Sequence, residues 1–82
     1  MSVLSELHEQ FSAARAKLIE ATEHTKRAVD LLNEARKAIV DAHAQAEPWV
    51  PPQLDGAIER LGSDADRLSA AEDLVSRYEA RL

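Results

Sequence analysis

Within residues 3–47, VLSELHEQFSAARAKLIEATEHTKRAVDLLNEARKAIVDAHAQAE, the residues Leu4, Leu7, Phe11, Ala14, Leu18, Ala21, Thr25, Ala28, Leu32, Ala35, Ile39, Ala42 and Ala46 recur at spacings of three and four without a miss. That rhythm belongs to a helix that buries one stripe against a partner along its whole length. The stretch holds no Gly and no Pro and is rich in Ala, the best intrinsic helix former, so propensity and pattern agree. Ser2 or Ser5 serves as N-cap, with Glu6 and Glu9 near the positive end of the helix dipole. Some 45 helical residues at 1.5 Å each would extend roughly 65 Å, too far for a helix without a partner.

Pro48-Trp49-Val50-Pro51-Pro52 ends this helix. Proline removes an i→i−4 hydrogen bond and drives the preceding residue out of the helical region, yet suits the first position of a following helix. A second apolar row then runs Leu54, Ile58, Leu61, Ala65, Leu68, Ala71, Val75, Tyr78, Leu82, again alternating three and four. Gly62, followed by Ser63 and Asp66, is a place where this arm could bend or restart; the unbroken apolar spacing favours one helix through it. The reading is all-α: a single domain over residues 1–82, with helix 1 over about 3–47, a turn at 48–51 and helix 2 over about 52–82, folded as an antiparallel hairpin.

A fold at Trp49–Pro51 would set Ile39 against Leu61, Leu32 against Leu68, Thr25 against Val75 and Leu18 against Leu82. Val3, Leu4, Leu7, Phe11 and Ala14 would then project past the second arm, an apolar patch of the kind that marks an interaction site. The stripe alternates a large row (Leu4, Phe11, Leu18, Thr25, Leu32, Ile39) with a small one (Leu7, Ala14, Ala21, Ala28, Ala35, Ala42), which lets helices approach closely. Val3, Ile19, Val29, Leu31, Ala38, Val40 and Leu74 widen it beyond what two helices need, and a four-helix bundle of two hairpins would use that breadth.

The chain has 82 residues, no cysteine and a net charge of −5 with charges of both signs interspersed. A domain this small, without disulfides, commonly gains stability by oligomerising. The Lys and Arg residues alternate with acids, as in the Glu23–Arg27 pair, and form no basic stripe, so a nucleic-acid partner is not expected. No run of apolar residues approaches a membrane span, and the N-terminus lacks a Sec-type signal, so a cytoplasmic protein is expected, with leaderless secretion left open.

Chemistry-bearing residues are sparse. His8, His24 and His43 flank the stripe, and His24 with Glu20, or His43 with Glu47, could hold one edge of a metal in a bundle. Neither pair has the further inward ligands a di-metal bundle uses, so half-exposed helix histidines are the favoured reading, with no metal and no cofactor. Thr25 can return its hydroxyl to the carbonyl four residues back, and Tyr78 sits at the core edge. No nucleophile motif or small-molecule pocket is evident, and no catalytic residue is assigned. Trp49 either plugs the end of the bundle or serves as a recognition anchor; Pro48-Trp49-Val50-Pro51 also meets the minimal Pro-x-x-Pro pattern.

Two long helices joined through a single tryptophan, in a chain of this size, resemble the Trp-x-Gly helical-hairpin proteins of type VII secretion. The style is also similar to that of small Ala/Glu/Arg-rich helical proteins of actinobacteria. Here Trp49-Val50-Pro51 stands where the family has Trp-x-Gly, and Leu82 stands where an acid follows the tyrosine, Tyr78, by four. What the resemblance implies is a dimeric hairpin that acts by binding a partner, without catalysis. The expected function is therefore a protein–protein interaction module that forms a helical bundle with itself or a related helical chain. Its interface residues would be Val3, Leu4, Leu7, Phe11, Ala14, Leu18 and Trp49. A type VII-like exported factor is the alternative, and a metal-binding bundle a lesser one.

Overall fold

A computed structural model describes residues 2–43 and 49–82. It is an all-α helical hairpin: α1 spans Val3–Ala42, α2 spans Pro52–Ala80, and the two pack against each other along their length. The molecule measures 67 × 15 × 15 Å.

Each helix end follows from its residues. Ser2, in extended conformation, accepts a hydrogen bond from the Ser5 amide at 3.1 Å, and Glu6 lies in the first turn. At the other end His43 closes α1, its amide donating to the Val40 carbonyl and its Nδ1 lying 2.7 Å from the Ile39 carbonyl. That second contact is a hydrogen bond in the tautomer protonated on Nδ1, and it satisfies a carbonyl the helix end would otherwise leave open. Pro51 caps α2 and Pro52 occupies its first turn, where a missing N–H costs nothing. α2 then runs through Gly62 as one helix, with no glycine at positive φ among the described residues.

Helix 1 thus reaches Ala42, and residues 44–48, where the sequence suggests its last turn and first proline, lie outside the described residues. The described contacts between the helices set a register other than the expected one. Phe11 stacks on Tyr78 with ring centroids 5.4 Å apart and planes tilted by 56°. Arg15 reaches Glu79, and Arg36 reaches Asp55. These contacts place Ala14, not Thr25, level with Val75. They also shorten the projecting segment: Phe11, Ala14 and Leu18 lie alongside α2, and the overhang is Val3 to Leu7.

The seam is rotated as well. α1 meets α2 through the expected Phe11, Leu18, Thr25, Leu32 row, flanked on one side by Arg15, Thr22 and Val29 and on the other by half-buried Ala21 and Ala28, while Ala14, Ala35 and Ala42 of the alanine row are exposed. Thr22 is buried and Thr25 half-buried, and each hydroxyl donates to the carbonyl four residues back, Leu18 at 2.8 Å and Ala21 at 2.7 Å. On α2 the seam follows Ile58, Ala65, Glu72 and Glu79 at intervals of seven, and Ala65, 4% exposed, is the one buried apolar residue among those described.

Candidate interaction surface

The rotation decides what each side of the hairpin offers. Ile19, Thr22 and Lys26 of α1 share a groove with Ser69 and Glu72 of α2, and the next groove adds Val29, Asp30, Gly62 and Asp66. These residues make one side of the hairpin largely polar. The rows on the far side of each seam therefore share the opposite face. Stepping from the Phe11–Tyr78 contact, Ala14 lies level with Val75, Ala21 with Leu68, Ala28 with Leu61 and Ala35 with Leu54. Ala14 and Ala35 are exposed, and the four α2 residues are half-buried. Leu31, Tyr78 and Leu82, each at least 40% exposed, lie along or at the end of this face. In α1 the more enclosed flank, with Arg15, Thr22 and Val29, lies to one side of the Phe11 to Leu32 row, so the offset of that helix opens toward this face.

A polar clamp closes the open end of the seam. Arg15 Nη1 lies 2.6 Å from Glu79 Oε2, its Nε 3.6 Å from Glu72 Oε1, and His8 Nδ1 3.6 Å from Glu79 Oε1. Arg15 Nε is buried without a hydrogen-bond partner. From the sequence alone Arg15, Glu72 and Glu79 are assigned no role; the signal for this cluster is the seven-residue line Ile58, Ala65, Glu72, Glu79, which carries two carboxylates into an apolar stripe opposite Arg15.

The residues singled out from the sequence are distributed as follows. Val3 and Leu4 are exposed on the overhang, and Leu7 is half-buried at its base. Phe11 and Leu18 are half-buried in the seam, and Ala14 is exposed on the apolar face. Trp49 is 68% exposed, so its indole does not plug the end of the hairpin. His24 Nε2 lies 3.8 Å from Glu20 Oε1 on an exposed face, His43 is engaged in capping α1, and Glu47 lies outside the described residues. Among the described residues no three His, Asp or Glu side chains come together in a way that could hold a metal ion, and no helix is long and apolar enough to cross a membrane. Two other grooves are lined by α2 alone (Gly56 to Arg67) and by α1 alone (Glu23 to Asp30), so neither is walled by two elements.

No family model, curated protein or solved structure matches the chain.

Proposed function

We propose that this protein is a non-catalytic interaction module that works by joining its hairpin to further helices in a bundle, supplied by a second copy or a related chain. The observation that carries this reading is the missing core. A compact monomer of 9.0 kDa exposes about 4,900 Å², whereas this chain exposes 6333 Å². Ala65 and Thr22 alone are buried among the described residues, and no large side chain is fully enclosed. An apolar side chain contributes roughly 1.5–3 kcal/mol only when water is removed from it, and here most of the apolar rows remain partly wet. Sedimentation equilibrium at micromolar concentration, with helicity followed on dilution, tests the proposal. We expect oligomers whose helicity falls as they dissociate; a stable, fully helical monomer that captures no helical partner from its host would refute it.

A second reading is favoured by Trp49. A large, amphipathic ring held in water at one end of a hairpin has the properties of an interface anchor, and an exported hairpin factor recognised through that end is the form this reading takes. Comparing Trp49→Ala with the wild type for its distribution between cells and medium in the native host would decide it. Strict retention of the wild-type chain inside cells with an active export system would exclude export.

A further inference from the structure

We infer that the apolar face receives the same face of a second copy, with α1 of each chain lying over α2 of its partner. This rests on the bundle-forming reading above and assigns its face, occupant and orientation.

Three observations point to the face. On α1 the enclosed flank carries Thr22 and Val29, whereas Ala14 and Ala35 on the side of this face are exposed, so part of that helix's apolar arc is left unused, as in a helix that has two neighbours to satisfy instead of one. Leu31 and Tyr78, 54% and 56% exposed, lie along it, whereas in the opposite groove Ile19 stands among Lys26, Ser69 and Glu72. The area is also sufficient. The surface beyond that of a compact monomer is about 1,400 Å², and a standard interface hides about 800 Å² per partner. A face most of 67 Å long and 15 Å across can supply that.

A second copy, as opposed to an unrelated helix, follows from the relief of the face. One half of it is a row of alanines and the other a row of leucines with a valine, at matching levels. The face is therefore complementary to itself when rotated about an axis parallel to the helices. Ala14 of one chain then meets Val75 of the other and Ala35 meets Leu54, so that each small residue receives a large one. Rotation about the perpendicular in-plane axis would set alanine on alanine, leaving a gap, and leucine on leucine, forcing the helices apart. The favoured axis brings both overhangs to one end of the dimer and both Trp49 side chains to the other.

The chain has no cysteine, so single thiols report geometry cleanly. Chains carrying Ala14→Cys are mixed with chains carrying Val75→Cys, each with a distinct tag, and oxidised. Alongside, Ala35→Glu, at a position exposed in the hairpin, is compared by sedimentation with Asn33→Glu on the polar side. We expect the mixed disulfide to form in preference to either homodisulfide. We also expect Ala35→Glu to weaken association about a hundredfold with helicity retained at high concentration, and Asn33→Glu to change it less than threefold. Preferential Ala14→Cys homodisulfides would overturn the orientation. Undiminished association of Ala35→Glu would overturn the face while leaving the bundle-forming reading intact. A monomeric, helical wild type would overturn both.

Discussion

The two sides of this hairpin are built by the same two helices and differ by little more than a half-turn in which residues they display. On one side Ser69, Gly62 and Lys26 meet water without cost; on the other Leu61, Leu68 and Val75 stand beside a row of alanines, partly wet. The contrast shows how a narrow contact line can divide an amphipathic helix unevenly. The seam need not run down the middle of the apolar arc, and where it does not, the residue left over states where the next element belongs. Leu68 and Ser69 are adjacent in the chain and fall on opposite sides of that division. Leu68→Asp should cost about 3 kcal/mol, because a carboxylate replaces a side chain withdrawn from water by the seam and by any partner. Ser69→Asp should change stability by no more than about 0.5 kcal/mol. Urea titrations at one fixed protein concentration compare them, since association makes midpoints depend on concentration. Equal costs would erase the distinction between the two sides.

The seam itself has two ends, and they are not equivalent. Near the termini Arg15 is clamped between Glu79 and Glu72, whose side chains are 17% and 23% exposed. Arg15→Ala should destabilise the hairpin by about 1–2 kcal/mol, since two part-buried carboxylates lose their counter-charge and are left near each other. Arg15→Lys should recover part of this, a lysine matching the charge but not the forked geometry. Thermal melts of the three chains at equal concentration give the order; an Arg15→Ala variant as stable as the wild type would show the cluster to be ornamental.

How much of this was legible in the residues depends on which force set each feature. The two helices, the hairpin and the passage of α2 through Gly62 follow from spacing and propensity, which are local and therefore readable. The register was not readable, because it depends on where α1 stops. Helix-forming Ala42 to Glu47 gave no warning that the cap would be His43. The side of α1 that meets α2 was misjudged for a related reason. The alanine row and the Thr22–Val29 row flank the same central residues, and apolarity alone favours the alanines. Thr22 can take the more enclosed flank because its hydroxyl is satisfied by the Leu18 carbonyl, and Arg15 on the same flank meets Glu79. Such pairings are invisible until the register is known. The projecting patch is accordingly shorter than Val3 to Ala14, whereas the breadth of the stripe beyond a two-helix seam is legible in the spacing of residues such as Leu31.

Gly62 belongs to the polar side, and its effect separates local propensity from packing. It lies mid-helix at ordinary helical φ, and a Cβ built there meets nothing within 4 Å. Gly62→Ala should therefore stabilise the fold by about 0.5–1 kcal/mol, by lowering the entropy of the unfolded chain and without adding a contact. A loss of stability, measured by urea midpoint, would mean that the polar groove around it is occupied in solution.

The smallest effect is expected at the turn end of the seam, and it completes the comparison of the two ends. Arg36 Nε and Asp55 Oδ1 are 2.8 Å apart, a shorter contact than Arg15 makes with Glu72, yet the side chains are 45% and 53% exposed. Water and salt screen such a pair, and holding two long side chains together costs entropy, so Arg36→Ala should cost no more than about 0.5 kcal/mol. Salt distinguishes the two ends better than the size of either effect. Between 0.1 and 1 M the screening length falls from about 10 to about 3 Å. The Arg36→Ala difference should then vanish, while most of the Arg15→Ala difference persists, because Glu79 and Glu72 are only 17% and 23% exposed. If both differences vanished together, the open end of the seam would be as wet as the turn end, and the distance between charges, not their burial, would govern both.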